Sequence, residues 1–232
     1  MTNKNNWSVF LIVLASFILG VVFNLIFNVE RFDEDLDTAE INTLTEVMRG
    51  LKNLEDEINV NLEDEINAKA ACKYVLKNFK NNEGVSDSLK LSLTLAWVYT
   101  HLQPDYGPIE YLTHNPFAKI SNENLRFKIL NFYRLSLPAT VSESKIRQQY
   151  IEKVKMLMPK WFGSINTNTY NYEAIEPINY EKLRVDNELL FHLKTQQIET
   201  TRYSYELSNM LKHIRTIKEE SEAELNKLDR TK

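Results

Sequence analysis

The sequence predicts an all-α protein: an N-terminal transmembrane helix, then a long antiparallel two-helix stalk that carries a small helical head. Three observations predict it. From Asn5 to Val29 there is no charged residue, and Trp7 to Val29 is nearly all Val, Ile, Leu and Phe. Breakers are scarce, with 5 Gly and 6 Pro in 232 residues, and Thr38 to Phe79 holds a single glycine and no proline. Two stretches of about forty residues, one after the apolar run and one at the C-terminal end, have apolar residues at helical spacing.

The apolar run comes first in the chain. At 1.5 Å per residue, residues 7–29 reach about 34 Å, enough for a hydrocarbon core of roughly 30 Å. A helix satisfies its own backbone groups in lipid, which an open strand or loop does not. Phe27-Asn-Val-Glu-Arg-Phe32 offers no small-residue cleavage site, so the expectation is an uncleaved anchor and not a signal peptide. Lys4 precedes the span, and Glu30, Asp33, Glu34, Asp35 and Asp37 follow it with Arg31 alone. Positive charge stays inside. The expected layout is therefore a cytoplasmic tail over 1–6, a single pass over 7–29 through the inner (plasma) membrane, and an extracytoplasmic domain over 30–232. Within the span, Ser16, Gly20 and Asn24 fall at steps of four. Such a small-and-polar face lets helices approach closely in lipid, and it points to a homo-oligomer.

Beyond the span the pattern predicts five helices. The first runs from Thr38 to about Lys80, with Asp35 or Asp37 as its cap, and closes at Asn81-Asn-Glu-Gly84. The second starts at Ser86 or Asp87 and ends near Leu102, before Pro104. The third is capped by Ser121 and ends before Pro138; the fourth runs from about Ser142 to Met158. Gly163 to Asn179 reads as a loop. The fifth begins near Asp186 and continues to about Leu228. The stalk is thus 38–81 with 186–229, and the head is 82–185, where more than half of the aromatic residues lie.

A 40-residue amphipathic helix needs a partner for its apolar stripe. Pairing the two long helices antiparallel, with residue numbers summing to 269, matches Leu44 with Leu225, Ile58 with Leu211, Leu62 with Leu207, Ile66 with Tyr203 and Phe79 with Leu190. It fails at Met48–Ser221, Leu51–Lys218 and Leu54–Arg215. The first stalk helix also contains Asn-Leu-Glu-Asp-Glu-Ile-Asn twice, at 53–59 and 61–67. Its Leu54, Ile58, Leu62 and Ile66 predict one apolar stripe, and its carboxylates predict a solvated flank.

The run Tyr106-Gly-Pro-Ile-Glu-Tyr-Leu112, followed by Ile120-Ser-Asn-Glu-Asn-Leu-Arg-Phe-Lys-Ile-Leu-Asn-Phe-Tyr133, resembles a family of small uncharacterised bacterial single-pass membrane proteins. The resemblance implies an N-terminal span, a long helix, a Tyr-x-x-Leu turn and a long closing helix. It supplies no catalytic residue.

Candidate chemistry is sparse. His101, Asp105, Glu110 and His114 are interrupted by Pro104, Gly107 and Pro108, and no His-x-x-x-His pair occurs, so no metal site is expected. Asp33 to Asp37 lacks the glycine and closing Glu of a calcium loop and reads as a solvated helix start. Cys72 reads as a small buried hydrophobe. Lys145 to Phe162 is basic and amphipathic, with its apolar side expected on the head. A net charge of −4 gives no nucleic-acid footprint. The expected function is a membrane-anchored helical interaction module, an oligomeric scaffold or sensor without catalytic activity or cofactor, which meets the lipid bilayer and an unidentified protein partner. The alternative is a membrane-perturbing or pore-forming effector whose spans oligomerise.

Overall fold

The computed structural model describes residues 4–114, 118–163 and 175–230, with side chains at 17–19, 21, 22 and, among these residues, from 36 to 229. Every regular element among them is helical. Helix α1 covers Lys4–Asn81, α2 Asp87–Leu95, α3 Gly107–His114, α4 Glu123–Asn131, α5 Leu137–Leu157, α6 Tyr180–Leu183 and α7 Asn187–Arg230. The expected all-α class is present. Among the described residues no helix is long and apolar enough to cross a membrane. Of residues 7–29, however, only Phe17, Ile18, Leu19, Val21 and Val22 have described side chains.

The break expected between span and stalk is missing. Asp35 and Asp37 cap nothing, because α1 runs through them without interruption. No glycine or proline stands between Val21 and Arg49 to stop it. At its far end Asn82 takes φ 54 and Gly84 φ 84, the left-handed closure expected at Asn81-Asn-Glu-Gly84.

Helix α7 returns antiparallel along α1. Glu55 of α1 holds Arg215 at 3.2 Å and Lys218 at 2.7 Å from α7, close to the expected register. Those two cations are among the expected mismatches, and they are matched to a carboxylate beside the seam instead of to Leu54 and Leu51. The seam itself is a strict alternation of three and four residues. On α1 the seam positions are Leu44, Val47, Leu51, Leu54, Ile58, Asn61, Glu65, Ala68, Cys72, Val75 and Phe79, with Glu40, Thr43, Gly50, Ala71 and Asn78 buried beside them. On α7 they are Leu189, Leu193, Gln196, Thr200, Tyr203, Leu207, Met210, Ile214, Ile217 and Ser221, with Leu211 buried beside Met210.

This seam corrects the expected stripe. In the first copy of the repeat Leu54 and Ile58 are buried, but in the second the seam takes Asn61 and Glu65. Leu62 is half-buried and Ile66 is 53% exposed, so Ile66 does not face Tyr203. The reason is arithmetic. A repeat of eight residues overshoots two helical turns, so the second copy is turned by roughly 80° relative to the first. The same seven letters present different side chains to the partner helix.

Residues 82–185 do not cap the far end of the stalk; they run down its flank and return. Helix α2 stops at Leu95 instead of near Leu102, because the carbonyls of Ala96 and Val98 take donors from the stalk: Cys72 Sγ at 3.7 Å and Gln196 Nε2 at 3.3 Å. Helix α3 sits against α1 over Gly50, where an added Cβ would lie 2.3 Å from Pro108 Cγ. The chain then reaches the other end of the helix pair, where Glu40 of α1 accepts from both Ser121 N and Ser121 Oγ at 2.8 Å. Asn122, not Ser121, caps α4, accepting from Leu125 N at 3.2 Å.

The third and fourth expected helices form one rod. Pro138 lacks an N–H and its ring crowds the preceding turn. The helix absorbs this with a π turn over Phe132–Ser136, in which Leu137 N–H bonds Phe132 O, and then continues as α5. The buried face of α5 is Ser144, Arg147, Ile151 and Val154. The ends of the Gly163 to Asn179 loop are tied by a bridge between Phe162 and Pro177; residues 164–174 lie outside the described set.

Candidate functional site

Two apolar cores lie along the stalk. The first core joins Leu44 to Ile58 of α1 and Tyr203 to Ile217 of α7 with α3, α4 and the π turn. The far core joins Ala71 to Phe79 and Leu189 and Leu193 with α2, the end of α5, Trp161 and Phe162. Between them lies a layer of buried polar side chains from all three rods.

Glu65 and Arg147 are its centre. Their side chains are 0% and 2% exposed, and Arg147 Nη1 lies 2.5 Å from Glu65 Oε1. The Thr100 hydroxyl donates to the same oxygen at 3.1 Å. The Arg147 guanidinium lies 4.7 Å from the centroid of the Tyr203 ring, a cation–π contact within a desolvated site. Asn61 and Gln196 bound the layer above and below on the seam. Glu65 Oε2, Arg147 Nε and Nη2, and Asn61 Nδ2 are buried with no hydrogen-bond partner among the described residues.

Burial pushes the Glu65 carboxyl above its ordinary value, against the opposing pull of Arg147 and Thr100. Burial likewise raises the Tyr203 hydroxyl, with Ser144 beside it acting the other way. The Cys72 thiol, one turn further along α1 than Ala68, is pushed up to about 12 by desolvation, which leaves it a poor nucleophile. The layer holds charge away from water with paired partners, and nothing in it aligns a nucleophile with a base. Its chemistry is that of alignment.

The residues singled out in the sequence fall elsewhere. Ser16, Gly20 and Asn24 lie on the backbone of α1, and their side chains are outside the described residues. Glu65 belongs to a block expected to be solvated, and its burial is a correction with the frame slip as its cause. The interrupted metal candidates occupy local roles: Asp105 accepts from Gly107 N at 2.7 Å, and His101 pairs with Gln103 at 2.5 Å. Arg147, the partner of Glu65, was legible only as part of a basic amphipathic segment. A signal did exist, since Arg147 stands at the same helical phase as Ile151 and Val154, where an arginine requires a buried partner.

A second feature lies on the outer flank. The π turn, α4 and residues 213–217 of α7 line an open cavity of about 420 Å³ whose floor is Phe132 and Ile217. Comparison with protein-family models, curated proteins and solved structures finds no match to the chain.

Proposed function

We propose that the chain is a membrane-anchored helical interaction module, an oligomeric scaffold or sensor that works by binding and carries out no reaction. The observation that carries this reading is continuity. The apolar stretch 7–29 and the buried seam that begins at Leu44 belong to one helix, Lys4–Asn81, with no hinge between them. A displacement or rotation of the anchor is therefore passed to the seam, and through Glu65 to Arg147 on the third rod. The apolar side chains of Phe17, Leu19 and Ile18 are 69%, 68% and 53% exposed, so this part of α1 needs lipid or another helix around it.

In this reading the N-terminus is cytoplasmic, the helical domain is extracytoplasmic, and copies associate through Ser16, Gly20 and Asn24. Photobleaching steps of the labelled full-length chain in native-membrane nanodiscs test the association. Wild type is expected to show more than one copy per disc, and Gly20→Leu and Asn24→Leu to shift the distribution toward one. If both variants associate like wild type, the oligomer part of the proposal is withdrawn. A reporter active only in the cytoplasm, fused after Lys232, is expected to be silent; a strong signal reverses the orientation.

A further inference from the structure

The cavity on the outer flank has the composition of a ligand site. At about 420 Å³ it falls within the range of small-molecule sites. Its floor is apolar and its rim is polar. Phe132 and Ile217 are 3% and 4% exposed at the bottom, while Phe127 stands 62% exposed at the lip as a hydrophobic wall with nothing packed over it. Asn124, Asn131, Ser136 and His213 also line it. None of these four side chains has a hydrogen bond to another described residue, so their donors and acceptors are available.

The charged side chain of the wall is a lysine, ion-paired with a glutamate just outside it. Lys128 lines the cavity, and no carboxylate does. The Lys128 ammonium gives one N–H to Glu220 at 2.5 Å, just outside the lining, and keeps two for another acceptor. The site also lies on the π turn Phe132–Ser136, the one such turn among the described residues. Turns of this kind concentrate at functional sites because they re-aim side chains along a helix. Here the turn supplies both Phe132 of the floor and Ser136 of the rim.

From these features we infer that the cavity binds a small amphipathic carboxylate: a flat apolar body against Phe127, Phe132 and Ile217, with its carboxylate toward Lys128 and the amides of Asn124 and Asn131. The inference is independent of the anchor reading, because it rests on α4, the π turn and α7 alone.

Binding of 2-naphthoate to the full-length chain in nanodiscs, followed by saturation-transfer NMR, tests it. Empty nanodiscs provide the background of lipid partitioning. A single saturable site is expected. The uncharged 2-naphthamide and the Lys128→Gln variant should each bind at least tenfold more weakly. Thr216 also lines the cavity and is exposed, so Thr216→Trp should fill the space, keep the urea midpoint and abolish binding. Asn124→Trp, placed on the opposite exposed wall, gives the same reading should Thr216→Trp unfold. Naphthoate uptake that only matches empty nanodiscs, or that survives both tryptophan variants, overturns the site. Equal binding of naphthamide overturns the carboxylate assignment.

Discussion

Replacing Glu65 and Arg147, singly and together, separates what the buried layer contributes to stability from what it contributes to alignment. At 2.5 Å two unit charges attract by about 7 kcal/mol at an effective dielectric of about 20. Withdrawing each ion from water costs several kcal/mol after relaxation, so the two contributions nearly cancel. Breaking the pair is different. In Glu65→Leu the guanidinium stays 2% exposed with no counter-charge, at a cost of about 3–5 kcal/mol. Arg147→Met leaves the carboxylate in the same position and loses the contact with the Tyr203 ring as well, for a similar loss. The double variant Glu65→Leu/Arg147→Met removes both charges and fills the space with apolar atoms. It is expected to be as stable as wild type or up to about 4 kcal/mol more stable. Urea unfolding of the full chain, followed by tryptophan fluorescence, reads all four proteins, and an unchanged slope keeps the midpoints comparable. A double variant no more stable than Glu65→Leu refutes the reasoning, because the pair would then be a net source of stability.

Three further outcomes follow from the same geometry. Ile58 is 0% exposed and Ile66 is 53% exposed, so Ile58→Ala should cost about 2–5 kcal/mol and Ile66→Ala about 0.5 kcal/mol or less. Equal losses in urea midpoint would return the two copies of the repeat to one stripe. Gly50→Ala gains about 1 kcal/mol of helix propensity but puts its Cβ against the Pro108 ring, where overpacking costs about 1–3 kcal/mol. The net expectation is a lower midpoint, and a rise in the same unfolding assay would show that α3 yields freely. Because burial holds the Glu65 carboxyl above its ordinary value, the native chain binds that proton more tightly than the unfolded chain. Its contribution therefore falls as pH rises from about 4.5 through the raised value. Wild type should lose stability relative to Glu65→Gln over that window, and a gap that stays flat across pH removes Glu65 from the titration.

The fold class and the hairpin were legible because they depend on long-range regularities: few breakers, two long apolar stripes and a charge pattern that falls beside the seam. What escaped were the points where two local signals compete. Leu54, Ile58, Leu62 and Ile66 form a visible series, but steps of four drift by about 40° each on a helix. By Ile66 the series has left the interface. Pro138 is a sound sign of a helix end in isolation, yet here one extra residue in the turn lets the rod continue. That rod, Glu123 to Leu157, is the longest helical stretch within residues 82–185. Glu40 reads as a surface acid until Ser121 arrives from a distant part of the chain to meet it. Partners of this kind are set by tertiary placement, which no local spacing encodes.

The layer also explains why polar residues persist at Asn61, Glu65, Gln196 and Thr200, where leucine would fit the heptad. An apolar seam with a seven-residue period is nearly self-similar, so α7 sliding one heptad along α1 still buries apolar against apolar. Glu65 meets Arg147 and Thr100 in only one alignment of three rods. A slide of α7 alone takes Tyr203 away from the Arg147 guanidinium, and a one-heptad shift of α5 along α1 strands both charges, at the same several kcal/mol as breaking the pair by mutation. On this argument the layer selects the register, and the two apolar cores supply the stability. The Glu65→Leu/Arg147→Met variant distinguishes the two roles. It should keep or raise the urea midpoint while its amide NMR spectrum broadens or doubles, as chains exchange between alignments. A variant that is stable and still gives one sharp set of resonances would show that the loops and α3 over Gly50 set the register without help from the charges.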